Sequence, residues 1–205
     1  MILKLTAFVV ATAVVALADI SACDNIPGNL VKNCGFEIVV YNPTNGFNAF
    51  TDWTVSGNQY ISTETDFLSF VHSGGEGAEL APDTGFTVSL GQTITDVAGS
   101  VTLDFWLSNP YAGTPNNFSV LWDGVTVFGP LVNAGQFHYT HEGPIVLTAT
   151  GSDTLQFSYR QDPAYWALDD VSVVQNAVPE PSSILLLVTV LGCLGVVFRR
   201  KCFAE

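Results

Sequence analysis

The sequence predicts an all-β protein, an antiparallel β-sandwich, framed by an apolar leader and an apolar tail. Two observations predict the sandwich. From residue 23 to residue 177, apolar and polar residues alternate at period two, and Gly, Asn, Asp and Pro punctuate the runs. That middle is about 155 residues long, enough for one domain with its own hydrophobic core.

The leader comes first. Lys4 supplies a short basic region, residues 5–17 are apolar, and both Ala16-Leu17-Ala18 and Ser21-Ala22 offer small-residue cleavage sites. Residues 1–22 therefore read as a secretory signal peptide. Ile20-Ser21-Ala22-Cys23 also resembles, loosely, the lipobox of bacterial lipoproteins, which would place a lipid on Cys23. Asp19 intrudes where such a segment is apolar.

Four cysteines are present, and Cys193 and Cys202 lie in or beyond the tail helix. That leaves Cys23 and Cys34, on either side of an Ile26-Pro27-Gly28-Asn29 turn. An exported chain meets an oxidising compartment, which favours pairing them as a disulfide.

The strands follow in order. Residues 86–94 form one. Residues 101–108 put Val101, Leu103, Phe105 and Leu107 on one face and Thr102, Asp104, Trp106 and Ser108 on the other. Residues 118–122 and 125–128 flank Asp123-Gly124, the two-residue signal of a type I′ hairpin. Residues 145–150 and 155–160 add two more, and residues 166–174 form the last. Such a set of short antiparallel strands is best buried as two packed sheets.

The tail is the most specific feature. Val178-Pro179-Glu180-Pro181 precedes residues 184–198, which carry no charge, and Arg199-Arg200-Lys201 follows at once. With Ser182 and Ser183 the apolar run reaches the lower limit for a transmembrane helix. The basic cluster stays cytoplasmic by the positive-inside rule, so residues 23–177 lie outside. Pro-Glu-Pro, a short helix and a basic end, in that order, resemble the PEP-CTERM sorting signal of Gram-negative bacteria. The resemblance implies recognition at Pro179, Glu180 and Pro181 by an exosortase, a membrane-embedded transpeptidase. It also implies export across the inner membrane, a transient membrane anchor, and a final place at the cell surface or in the extracellular matrix. Proteins of that family accompany exopolysaccharide and biofilm.

The ends of the middle domain carry a second resemblance. Asn33-Cys34-Gly35-Phe36-Glu37 near its start and Asp169-Asp170-Val171-Ser172-Val173 near its end resemble jelly-roll carbohydrate-binding and galactose-binding-like modules. Cys34 stands where those motifs usually have their first Gly. The resemblance implies a jelly-roll topology and a structural Ca²⁺ held by Glu37 with Asp169 or Asp170. Two carboxylates are far short of the six to eight oxygens Ca²⁺ takes. Neighbours on a regular strand also point to opposite faces, so Asp169 and Asp170 could not share a site through side chains.

Charge narrows the partners. The net charge is −13, yet Lys4, Arg199, Arg200 and Lys201 lie in the two ends. Only Lys32 and Arg160 remain in residues 23–177, against sixteen Asp and Glu. That excludes nucleic acid, whose binding rests on Lys and Arg at phosphates. It leaves solubility, divalent cations or neutral glycans.

Four tryptophans suit either a core or a sugar platform. Trp53 and Trp122 read as core, and core is also the commoner reading for Trp166. Trp106 falls on the polar side of its strand, and the loop over residues 109–117 places Tyr111 at the rim. These two are the candidate glycan contacts, with Tyr60, Tyr165 and Trp166 behind them. His138 and His141 face opposite sides of a strand and have no third zinc ligand. No nucleophile elbow, phosphate loop or metalloprotease motif is present, so a non-enzymatic role is expected. An extracellular glycan hydrolase is the remaining alternative.

Overall fold

A computed structural model describes residues 20–42, 47–57, 61–62, 71–82, 85–95 and 98–177. Most of the leader, the Pro-Glu-Pro motif, the apolar tail segment, Arg199, Arg200, Lys201 and Tyr60 lie outside the described residues. Among the described residues no helix is long and apolar enough to cross a membrane. Within those residues a single 3-10 turn, Ala22–Asn25, precedes twelve strands.

Those strands are β1 (Val39–Asn42), β2 (Phe47–Phe50), β3 (Thr54–Ser56), β4 (Ile61–Ser62), β5 (Ala78–Pro82) and β6 (Val88–Thr95). β7 (Gly99–Asn109), β8 (Asn116–Trp122), β9 (Val125–Val132), β10 (Phe137–Ala149), β11 (Ser152–Gln161) and β12 (Trp166–Gln175) complete the domain. β1 and β2 form a small ribbon, and the other strands form two five-stranded sheets. One sheet runs β10-β7-β12-β5-β4 and the other β3-β6-β11-β8-β9. Every pairing is antiparallel. From β5 to β12 the chain changes sheet at each connection except β8–β9, which is how a jelly roll is wound.

Side-chain alternation produces this arrangement. Val101, Leu103, Phe105 and Leu107 of β7 are fully buried between the sheets, as are Phe118 and Val120 of β8 and Leu155, Phe157 and Tyr159 of β11. Phe105 packs edge-on to Phe157 and Phe128, which ties the two layers at their centre. Trp53, Trp122 and Trp166 are buried, as their positions predict. At Asp123 and Gly124 the backbone takes positive φ, 49° and 77°, as a type I′ turn requires.

The N-terminal segment is part of the sheet structure. β5 pairs with β12 only at Trp166, Ala167 and Leu168. Further along, residues 29–34 take over that edge: Leu30 N donates to Val173 O, Val171 N to Cys34 O, and Asn29 bridges Val174. A disulfide joins Cys23 to Cys34 and closes this hook. Phe36, fully buried, then packs against Phe50 and Trp53.

The hook's closure contributes about 2–3 kcal/mol by loop entropy. Cys34→Ser should lower stability by that amount in denaturant titration. The unreduced native protein should show neither Cys23 nor Cys34 alkylated, and labelling of both thiols would contradict the hook.

Candidate functional site

Two groups of polar side chains stand out, one on the outer face of the β10-β7-β12 sheet and one at a loop end of the sandwich. The first begins with a break in β12. Its register against β7 shifts between Asp169 and Ser172, and Asp170 takes φ +48°. A regular strand would send the two carboxylates to opposite faces. The bulge re-aims Asp170, so both reach the segment over residues 71–76. This corrects the expectation that the pair cannot share a site.

Asp169 Oδ2 accepts hydrogens from His72 N (2.8 Å) and Ser73 N (3.1 Å), and its Oδ1 from Asp170 N (2.7 Å). Asp170 accepts from Ser73 Oγ at both oxygens (2.8 and 2.6 Å) and from Cys23 N (3.0 Å). His72 Nδ1 lies 2.6 Å from Asp170 Oδ2. Glu37 binds the same segment one step away. Its Oε1 accepts from Ser21 Oγ (2.8 Å), Gly75 N (3.0 Å) and Glu76 N (3.3 Å). Gly74 has to be glycine here: its φ is +75°, in the left-handed region, and a Cβ would collide with Glu37.

The calcium reading can be tested on this geometry. Among the described residues the one group of three or more metal-ligating side chains close enough to share an ion is Cys23, Asp24 and Cys34, and both its sulfurs are in the disulfide. Glu37, Asp169 and Asp170 do not converge on a point, and their oxygens face N–H and O–H hydrogens, which a cation would repel. As placed, the three carboxylates do not fit a Ca²⁺ centre. They act as acceptors that fasten residues 71–76 to the hook and to β12.

Trp106 belongs to the same face. β-pairing sets Asp169, Trp106 and His141 in one row across β12, β7 and β10. His72 stacks on the Trp106 ring at 3.8 Å between centroids and 17° between planes, and His141 lies tilted against it at 5.4 Å. His141 Nε2 in turn sits 3.1 Å from Asp104 Oδ1. An imidazole therefore occupies the stacking position that a sugar ring would need.

Tyr111 is placed differently. It is 52% exposed and meets Tyr165 edge-on at 4.9 Å and 84°. Buried amides hold the loops beneath them. Asn109 Nδ2 donates to the carbonyls of Ala134 and Gly135, and its Oδ1 accepts from Gln161 Nε2. Asn116 donates to Gly113 O and Ala134 O and accepts from Ala134 N. Arg160 pairs with buried Asp162 at 2.8 Å, and Asp162 also accepts from Gly85 N. Tyr165 thus joins Tyr111 as a rim aromatic, whereas Trp166 is core, its Nε1 donating to Arg160 O.

A further surface escaped the sequence reading. On the outer face of the other sheet, Ser56, Ser89, Ser158 and Ser119 line up in register across β3, β6, β11 and β8. Beside them Thr54, Thr93, Thr154 and Gln156 line a shallow groove of about 260 Å³. Each strand alone shows only a polar outer position; the row exists because pairing aligns them.

Residues 177–201 match the family described as PEP-CTERM protein-sorting motif. The tail is a PEP-CTERM sorting signal. Such a motif implies export and membrane-anchored sorting. Among solved structures the chain is similar to TmCBM61, seen in complex with beta-1,4-galactotriose, at 21% identity over 72% of this chain and 99% of that one, with a TM-score of 0.49. It is also similar to a family 35 carbohydrate binding module from Clostridium thermocellum (16% identity, 61% and 93% covered, TM-score 0.41). A third is the K3 cleaved adhesin domain of Lys-gingipain from Porphyromonas gingivalis (12%, 62% and 92%, TM-score 0.45). Likeness this distant transfers no ligand, and the sandwich assignment rests on the strand pairing itself. No curated protein matches the chain.

Burial, then the neighbouring Asp170 carboxylate, pushes Asp169 up to about 8, against the backbone amides of Ser73, His72 and Asp170. The same burial, with Asp169 and Asp170 beside it, pushes the Tyr139 phenol up as well. Asp169 thus holds its proton more tightly folded than unfolded. Its contribution to stability is present below about pH 4 and is lost as pH rises through about 8. The melting temperature should accordingly be higher at pH 5 than at pH 8.5, Asp169→Asn should flatten that difference, and a calcium chelator should leave it unchanged. A chelator that lowers the melting temperature by several degrees would restore the metal.

Proposed function

We propose that this PEP-CTERM protein is a non-catalytic component of the surface or extracellular matrix of a Gram-negative bacterium. An exosortase-type membrane transpeptidase processes it at Pro179-Glu180-Pro181, and it associates with exopolysaccharide in biofilm. The observation that carries the reading is the sorting motif over residues 177–201. Mass spectrometry of the surface-derived protein should find a C-terminus close to Pro181. Recovery of an intact Glu205 end from the same fraction would make the tail a permanent anchor.

A second reading, a carbohydrate-binding module with a defined glycan, is favoured by the exposed Tyr111–Tyr165 pair on its amide-braced loops. A ligand here would be neutral, because the strong negative net charge of residues 23–177 would repel an anionic chain. The neutral hydroxyl face around Ser158 suits the same ligand class. On this reading Tyr111→Ala should lower retention on the host's own polysaccharide at least tenfold while leaving the melting temperature unchanged. Trp106→Ala should instead lower the melting temperature, by uncovering His72 and the two aspartates. Equal retention by wild type and Tyr111→Ala would remove Tyr111, and Ser158→Glu then tests the hydroxyl face. Release of reducing sugar from that polysaccharide would overturn the non-catalytic role.

A further inference from the structure

The sequence offers two places where the leader could end, and the fold distinguishes them. Ser21 is completely buried, although it lies before the second site. Its hydroxyl donates to Glu37 Oε1 at 2.8 Å and its backbone N to Asp24 Oδ2 at 3.0 Å. The next two residues are bound as well: Ala22 N donates to Ser73 Oγ (2.7 Å) and Cys23 N to Asp170 Oδ1 (3.0 Å). Two glycines make room for Ser21. A Cβ on Gly35 would overlap its side chain, and one on Gly74 would crowd its hydroxyl. Ile20, immediately before, is 71% exposed. Among the described residues the hydrogen-bonded segment begins at Ser21.

We propose that the mature exported chain begins at Asp19, cut from its leader by a signal peptidase between Ala18 and Asp19. This rests on the reading of the chain as exported through a cleaved leader. Water is the co-reactant: the Ala18–Asp19 amide bond breaks, hydroxide adds to the Ala18 carbonyl carbon, and the Asp19 nitrogen leaves as the new amine. Ala16 and Ala18 then supply small residues on the leader side of the cut, in the A-x-A pattern. A cut after Ala22 would instead set Ile20 two residues before Ala22 and remove Ser21 from its cradle. Glu37 Oε1 would lose its hydroxyl donor and keep only the amides of Gly75 and Glu76. That cut would leave an ammonium group at Cys23 facing Asp170, a favourable contact, but one that does not fill the space between Gly35 and Gly74. Lipid attachment at Cys23 would require the same cut and a free sulfur, and that sulfur is bonded to Cys34. A domain boundary drawn between Ala22 and Cys23 thus passes through a hydrogen-bonded segment.

The full chain, expressed in a secreting Gram-negative host, tests this by intact mass and N-terminal sequencing of the exported protein. The expected N-terminus is Asp19-Ile20-Ser21, and Ala18→Leu should accumulate uncut precursor. A mature protein starting at Cys23, lipidated or not, or at any residue other than Asp19, overturns the proposal. A protein that still begins at Met1 overturns it together with the cleaved-leader reading, and the mass distinguishes the two failures.

Discussion

The domain depends on buried and half-buried carboxylates that accept hydrogens from segments far apart in sequence. Asp170 receives Cys23 N and Ser73 Oγ, Asp169 receives the amides of His72 and Ser73, and Glu37 receives Ser21 and Gly75. The N-terminal hook, the 71–76 segment and the last strand all come together there. A buried acceptor left unmade is expensive. Removing one segment would therefore leave the carboxylates of the others exposed to that penalty. The disulfide closes the hook, but the carboxylates fix where it lies.

The knot also explains how charge is used. A domain with sixteen acidic residues in positions 23–177 and two basic ones would be expected to keep its acids in water. Asp153, Asp162, Asp169 and Asp170 are buried instead. Asp153 accepts from Thr150 and Gly151, and Asp162 from Gly85 and Arg160. Each braces a turn or loop rather than facing a partner. What remains outward on the β3-β6-β11-β8 face is a hydroxyl row without carboxylates, and at the loop end two tyrosines.

The alternation of β7, the Asp123-Gly124 hairpin, the Cys23–Cys34 pairing and the core positions of Trp53, Trp122 and Trp166 were legible in the sequence, because each depends on local pattern. The sorting motif was legible for the same reason. The site was less so. A left-handed aspartate at position 170 leaves no trace in an alternating run, so the bulge could not be foreseen. The segment over residues 71–76 is Gly, Ser, His and Glu with one Val, and has no period to place it against Trp106. The serine row needed the register of four strands. Ser21 reads as leader because it sits beside Ala22, and its cradle between Gly35 and Gly74 is formed only by the fold.

Native-state hydrogen exchange tests the central claim most directly. If the carboxylates tie the three segments into one unit, the amides of Cys23, His72, Ser73, Gly75 and Val171 should exchange with a common opening free energy. Asp170→Asn should then speed all five together. Fast exchange at His72, Ser73 and Gly75 with Cys23 and Val171 still protected, in wild type or variant, would show that the segments are held independently and contradict the account.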